Sequence, residues 1–267
     1  MKQTTSQWLQ AQRCLARQEP RQPRQGLSVD GRLVGSVEAQ FARQLGAELL
    51  AAHGVELDWR DGRWVLLGAG SASQNLNRLA QAMRVAGVAG AWRNEQLAVC
   101  DENGLAVATI ERGAVRPLGI ATRAVHLVGT AANGCVWAQQ RADDKATNPG
   151  MWDTLMGGMI SAADTLEQAL ERETWEEAGL RVRDLAALGY GGHVEFARPS
   201  GEAEGQGYMR ERIDWFSALV PEPLRPDNQD GEVQRFELLD LPTLEDWLLQ
   251  GRFTPEASLI LAAYLRW

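Results

Sequence analysis

Glu173, Glu176 and Glu177 fall close together in the stretch Asp164-Thr-Leu-Glu-Gln-Ala-Leu-Glu-Arg172-Glu173-Thr-Trp-Glu176-Glu177-Ala-Gly179. Carboxylates so close together are the raw material of a site for a hard divalent cation. Mg²⁺ takes oxygen ligands, keeps several waters and bridges to phosphate oxygens; bound there, it can neutralise phosphate charge and activate or orient an attacking water. At about 100° per residue, Glu176 and Glu177 lie within roughly 60° of Glu173, and Leu166, Ala169 and Leu170 share that sector. The three glutamates therefore continue the apolar stripe, whereas Glu167, Gln168 and Glu171 take the side where a solvated face lies. Carboxylates crowded on an inward patch repel and lose hydration unless a cation or protons neutralise them. An ordinary amphipathic helix with i,i+4 charges, Arg172 against Glu176 among them, has the same periodicity. Periodicity alone leaves both readings open.

The positioning elements follow from local signals. Asp164 with Glu167 three residues on is a capping-box pattern, and Gly179 suits the left-handed position past a helix end, which predicts a helix over 164–178 preceded by a Gly157-Gly158 loop. Around it, 124–128, 135–140, 208–220 and 232–238 read as strands, 142–159 as a loop, and 244–250 and 255–265 as helices. The Gly-rich stretch 199–207 reads as a hairpin loop or a flap over a substrate. Upstream, a helix is expected over 37–53, a strand pair over 55–67 turning at Asp61-Gly62, a helical stretch over 76–85, and strands at 92–99 and 105–110. A Gly-rich turn after Trp64-Val-Leu-Leu resembles a dinucleotide loop, but Ser73 replaces its third glycine and no acidic ribose ligand follows.

The boundary falls at 113–119. Residues 1–26 are expected as a polar arm, its Arg13, Arg17, Arg21 and Arg24 on one face of a short exposed helix; 27–118 as an α+β unit; and 119–267 as an α/β unit. At 267 residues, two domains are the natural expectation. A net charge of −8 argues against a nucleic-acid backbone as the main partner. Three cysteines without metal or disulfide spacing suit a reducing cytoplasm. The first residues lack a signal-peptide core and no run of about 18 apolar residues occurs, so neither export nor a membrane span is expected.

Gly158, Arg172-Glu173, Glu176-Glu177, Gly179 and Leu180 stand at the spacings of the Nudix box, Gly-x5-Glu-x7-Arg-Glu-U-x-Glu-Glu-x-Gly-U, and the chain resembles that superfamily. Asp164 replaces the first Glu of the box, and Thr174 replaces its aliphatic residue. The resemblance implies an α/β/α-sandwich hydrolase of diphosphates with Mg²⁺, for which Mn²⁺ is a substitute, held by Glu173, Glu176 and Glu177. Arg172 would orient these through ion pairs, and Gly157 and Gly158 would shape the preceding loop.

Trp92-Arg-Asn-Glu95, Ile110-Glu-Arg112, Arg141-x3-Lys145, Pro149-Gly-Met-Trp-Asp153 and Asp230-Gly-Glu-Val233 are similar to the thiamine-pyrophosphokinase-associated Nudix subgroup, in which an accessory domain precedes the Nudix domain. That similarity implies a small-molecule partner, a damaged or analogue thiamine diphosphate cleaved to the monophosphate. A nucleoside diphosphate derivative such as ADP-ribose or a dinucleotide, with a homodimer completed by the N-terminal domain, is the alternative. An isopentenyl-diphosphate isomerase or a non-catalytic Nudix sensor stands further off. Only Lys2 and Lys145 interrupt an otherwise all-arginine set of cations, which singles out Lys145 as a phosphate contact or carboxylate partner, with Arg141 beside it. Glu232 is a candidate base, and Trp152 either stacks on a substrate ring or packs in the core.

Overall fold

The computed structural model describes residues 4–202 and 205–267. The chain opens with α1 (Thr5–Ala16), capped reciprocally by Thr4 and Gln7. The stretch expected as a polar arm is therefore helical, and it is not solvated throughout. Trp8 is 3% exposed and meets Trp267 edge-on at 5.5 Å. A single aromatic buried at the far end of the chain outweighs a run of polar neighbours, because large apolar area removed from water dominates local composition.

The next unit comprises β1 (Arg24–Val29), β2 (Arg32–Glu38), α2 (Phe41–Leu45), α3 (Ala47–Ala52), β3 (Val55–Arg60), β4 (Arg63–Gly68), α4 (Ala72–Val85), β5 (Gln96–Cys100), β6 (Ala106–Glu111) and the single turn α5 (Arg112–Val115). Its four-stranded sheet has the order β2-β1-β4-β3, and β5 and β6 form a separate hairpin. The turns Asp30-Gly31 and Asp61-Gly62 both have positive φ, as tight hairpins of right-twisted strands require. The helix expected over 37–53 is instead the end of β2 followed by two short helices. Gly46, with φ 70°, ends the first. Leu27, Leu66, Leu76, Leu79 and Ile110 close one core beneath this sheet, α4 and the hairpin.

The second unit is built on β7 (Ala121–Thr130), β8 (Val136–Arg141), β9 (Trp152–Asp153), β10 (Met156–Met159), α6 (Leu166–Ala178), β11 (Ala186–Pro199), β12 (Tyr208–Leu219), β13 (Val233–Leu239), α7 (Leu241–Leu249) and α8 (Pro255–Tyr264). β7 pairs in parallel with β12 along its whole length. On its other edge the neighbour changes: β10 pairs antiparallel with Ala124–Leu127, and β8 takes over from Gly129. Alternate residues of β7 face opposite layers. Val125 and Leu127 pack with Leu170 and Ala178 of α6, whereas Ala124 and Val128 pack with Trp8, Leu244 and Ile260 of α1, α7 and α8. The result is helix, sheet, helix: the α/β/α sandwich expected, preceded by an α+β unit.

The units are joined by backbone hydrogen bonds. The Ala162 amide donates to the Gln96 carbonyl and the Tyr208 amide to that of Arg116, and the Arg24 side chain adds a bond to the Gln206 carbonyl. Among the described residues no helix is long and apolar enough to cross a membrane.

Candidate active site

α6 starts at Leu166 rather than at 164, its cap one position later than expected. Its cap is Thr165, whose hydroxyl accepts from the Gln168 amide while Gln168 returns the bond. Asp164 has a different partner: it accepts from Arg172 Nε at 2.9 Å. The shorter acid at the first box position thus anchors the arginine. Gly179 ends the helix at φ 63°, as expected.

Arg172 also donates to Glu173 at 2.9 Å and to Glu176 at 3.0 Å, two of the three glutamates. Glu177 is held by other groups, accepting from the Gly157 amide at 2.9 Å and from Gln139 at 2.8 Å. The glycines before the helix follow from this geometry. A Cβ on Gly158 would run into the Glu173 carboxylate, and one on Gly157 would meet the His126 ring.

Burial drives the electrostatics. Desolvation pushes the Glu173 carboxyl up to about 7 against the pull of Arg172, and pushes Glu177 to about 8 with repulsion from Glu173 added. Two acids held so far above the ordinary carboxylate range favour a neutralising partner. Their oxygens are the hard donors that Mg²⁺ or Mn²⁺ takes. Among the described residues no three acidic, histidine or cysteine side chains converge into a ready cage. The donor type and the buried charge therefore fit a divalent ion whose shell is completed by water and substrate oxygens, and do not fit an all-protein cage.

Glu173, Glu177, Gly157 and Gly158 line a cleft of about 800 Å³. Arg141, Lys145 and Glu232, far apart in sequence, line it too. Lys145 is ion-paired with Glu232. Burial would raise the Glu232 carboxyl, but Lys145, Arg112 and Arg141 together hold it below the usual range. Arg141 donates to the Thr147 carbonyl at 3.1 Å and lies 3.8 Å from Asp153. Deeper in the cleft, Arg116 pairs with Glu211 at 2.7 Å and Arg198 with Glu256 at 2.8 Å.

Three candidates stand apart from the cleft lining. Glu176 is 41% exposed and turned to Arg172, and Arg172 itself is paired with Glu173 and does not line the cleft. Trp152 is 2% exposed and packs on Trp247 at 4.8 Å with Arg235 over its ring, which is the core-packing alternative weighed in the sequence. Conversely, His126 lines the cleft, 6% exposed and 2.9 Å from the Thr154 hydroxyl, with burial pushing its pKa down against the pull of Asp153. The first unit contributes as well: Arg93 and Arg112 face the same space. Both belong to motifs recognised in the sequence, but nothing local to 92–95 or 110–112 reveals which cleft they enter. Pro199 to Glu202, at the start of the expected flap, also line it, and residues 203–204 of that stretch lie outside the described residues.

Residues 120–262 match the NUDIX domain model. The chain is 27% identical over 164 residues to Nudix hydrolase 20, chloroplastic, of Arabidopsis thaliana, a match covering 59% of this chain and 42% of that protein. It is 31% identical over 136 residues to the isopentenyl-diphosphate delta-isomerase of Streptomyces avermitilis, covering 50% and 66%. A Deinococcus radiodurans crystal structure superposes with a TM-score of 0.50 at 20% identity, covering 64% of this chain and 98% of that one. The chain spans about half the length of the first curated relatives it matches. With the family model covering more than half of its residues and the glycine loop, the arginine and the glutamates of the box in one structural unit, the chain belongs to the NUDIX domain family.

Proposed function

We propose that this protein hydrolyses a phosphoanhydride bond in an organic diphosphate with Mg²⁺, Mn²⁺ serving as a substitute, and that its substrate is a damaged or analogue thiamine diphosphate. The observation carrying this reading is that five motifs scattered from residue 92 to residue 233 each supply lining to the cleft that holds Glu173 and Glu177. These are the motifs similar to the thiamine-pyrophosphokinase-associated subgroup. The division into an accessory domain (27–118) and a Nudix domain (119–267) belongs to the same proposal.

Glu173 and Glu177 would hold the divalent ion at the cleft, with Glu176 joining them once turned from Arg172, and the ion would neutralise phosphate charge and polarise water. Lys145 and Arg141 contact phosphate oxygens, the ammonium as a point charge and the guanidinium as a fork. Glu232, held ionised by the cations around it, accepts the proton as water adds to phosphorus. The bridging P–O bond breaks and its oxygen leaves with the organic monophosphate, the added water oxygen staying on the released phosphate.

The isomerase reading requires a cysteine at the reacting carbon. Cys14, Cys100 and Cys135 do not line the cleft, which favours hydrolysis. Nucleoside diphosphate derivatives remain the competing substrates. A panel of oxidised thiamine diphosphate, thiamine diphosphate, ADP-ribose and a dinucleoside polyphosphate, assayed for phosphate or monophosphate release with Mg²⁺ and with chelator, decides among them. Glu177→Gln is expected to lower kcat by roughly 100-fold with the fold retained. Turnover at the wild-type rate by that folded variant would refute the metal site.

A further inference from the structure

Arg93 and Arg112 come from the first unit, outside the residues matched to the NUDIX domain, yet both line the same cleft as Glu173 and Glu177. They are held there by a single buried acid. Glu111, 1% exposed, accepts from the Arg93 amide at 2.7 Å and from the Gly113 amide at 3.3 Å, so one carboxylate clamps the loop bearing Arg93 to the turn bearing Arg112. The Arg112 amide donates to the Glu95 carbonyl, and the Gly90 amide to that of Gly113, closing the same wall. Burying a carboxylate to fix two backbone segments is costly unless its hydrogen bonds are made. Here the result is a rigid mount for two guanidinium groups.

Their surroundings indicate a ligand. Glu95 holds one edge of Arg112 at 2.8 Å, and the Arg112 side chain remains 39% exposed. Although burial opposes it, Glu95, Glu232 and Glu173 hold Arg112 above its ordinary pKa, which sets it in the same field as the carboxylates of the other unit. Among the described residues no acid pairs with the Arg93 side chain. Arg141 and Lys145 line the same cleft, Lys145 paired with Glu232 and Arg141 3.8 Å from Asp153, which leaves Arg93 as the lining cation without an acidic partner among the described residues. Arg116 and Arg198, deeper in, are each neutralised by a glutamate within hydrogen-bond distance.

We propose that Arg112 and Arg93 form a subsite, supplied by the first unit, for the terminal phosphate of the substrate. It favours organic diphosphates with a free terminal phosphate over diphosphodiesters blocked at both ends. A terminal phosphate carries more charge and more unshared oxygens than a bridging one, and planar guanidinium forks match those oxygens. This rests on the diphosphate-hydrolase reading, but it can be tested apart from it.

The probe is methylenediphosphonate, which presents two free terminal phosphonates and is not hydrolysed. Its affinity is measured by calorimetry on the full chain, with Mg²⁺ and with chelator. Arg112→Ala is expected to weaken binding about 10-fold or more in both conditions, the loss of one charge-assisted pair. Arg112→Lys should recover part of this, keeping the charge and losing the fork. Arg93→Ala should weaken binding by a similar factor, and because that side chain carries no acid partner among the described residues, it also serves should Arg112→Ala not fold. Arg183→Ala, at an 81% exposed side chain, is the control for loss of general charge. In turnover, Arg112→Ala should raise KM for thiamine diphosphate more than for ADP-ribose.

Affinities of both alanine variants within twofold of the control overturn the subsite, as does an equal rise in KM for the two substrates. Glu177→Gln separates the two readings. If it turns over as wild type, the hydrolase assignment of the metal site fails, whereas the subsite stands or falls on whether Arg112→Ala still weakens diphosphonate binding in that background.

Discussion

Asp214 illustrates how a single residue couples charge to stability away from the cleft. It is 1% exposed, yet accepts from Arg212 at 2.8 Å, Arg123 at 2.9 Å and Tyr190 at 2.8 Å. Burial alone would raise its carboxyl; these bonds override that and bring it down to about 2. A folded-state value below the unfolded one of about 3.9 contributes stability that is fully present above that value and lost as pH falls through the folded value. Here the contribution is about 2 kcal/mol, disappearing between roughly pH 4 and pH 2. Urea unfolding at pH 5 and pH 3 should therefore show a steeper acid loss for wild type than for Asp214→Asn, and parallel losses would refute the assignment. The cleft acids behave oppositely. Glu173 and Glu177 are raised because burial dominates and neighbouring carboxylates add to it, with too few donors to offset it. That contrast was not readable from residue type: all three are acids in regular elements, and only their donors differ.

At the level of elements, α6 shows which signals are local. Its periodicity, its end at Gly179 and the sector shared by Glu173 and Glu177 were all legible, because helix geometry places residues 3 to 4 apart on one side whatever the fold. The start was misread by one position, since Asp164 and Thr165 are both acceptable caps and Arg172 claims the former. Thr165→Ala should cost about 1 kcal/mol, lowering the melting temperature by roughly 2–4 °C in calorimetry. Because the cap lies about two turns from Glu173, kcat at 25 °C should be unchanged; a large kcat loss at unchanged stability would make Thr165 part of the site. The strands β1, β2 and β11 escaped the sequence reading for another reason. β11 pairs with β12 across a register from Ala186↔Leu219 to Pro199↔Tyr208, and its side chains are half-exposed or exposed along most of its length. Partners distant in the chain sustain it, and no clean alternation of polar and apolar residues announces it.

Across the whole molecule, the first and last helices meet. α1 lies against α8 and the edge of β11, with Trp8, Leu9 and Ala16 in the same cluster as Leu244, Ile260 and Leu261. The segment read as a polar arm is thus part of the layer that covers one face of the larger sheet. Trp8→Ala should destabilise the protein by roughly 3–5 kcal/mol in urea unfolding, the range for truncating a buried aromatic. A loss below about 1 kcal/mol would mean that the helix is only loosely attached. The first unit stands in a similar relation to the cleft, forming one wall of it while the sheet and α6 form the others.

The amino-acid sequence by itself determined the helix bearing the glutamates, the glycine loop ahead of it, the left-handed stop behind it and the family to which these belong. All of these depend on spacings within about 25 residues, where backbone geometry leaves little choice. Only the tertiary structure decided that Glu177 is held by Gln139 and the Gly157 amide while Glu176 turns to Arg172, that Trp152 is core, and that Arg93 and Arg112 line the cleft of Glu173 from another unit. The physical reason is shared. A side chain's partner, and with it its charge state and its access to a ligand, is set by segments brought together from distant parts of the chain, and residue spacing carries no record of which segments those are.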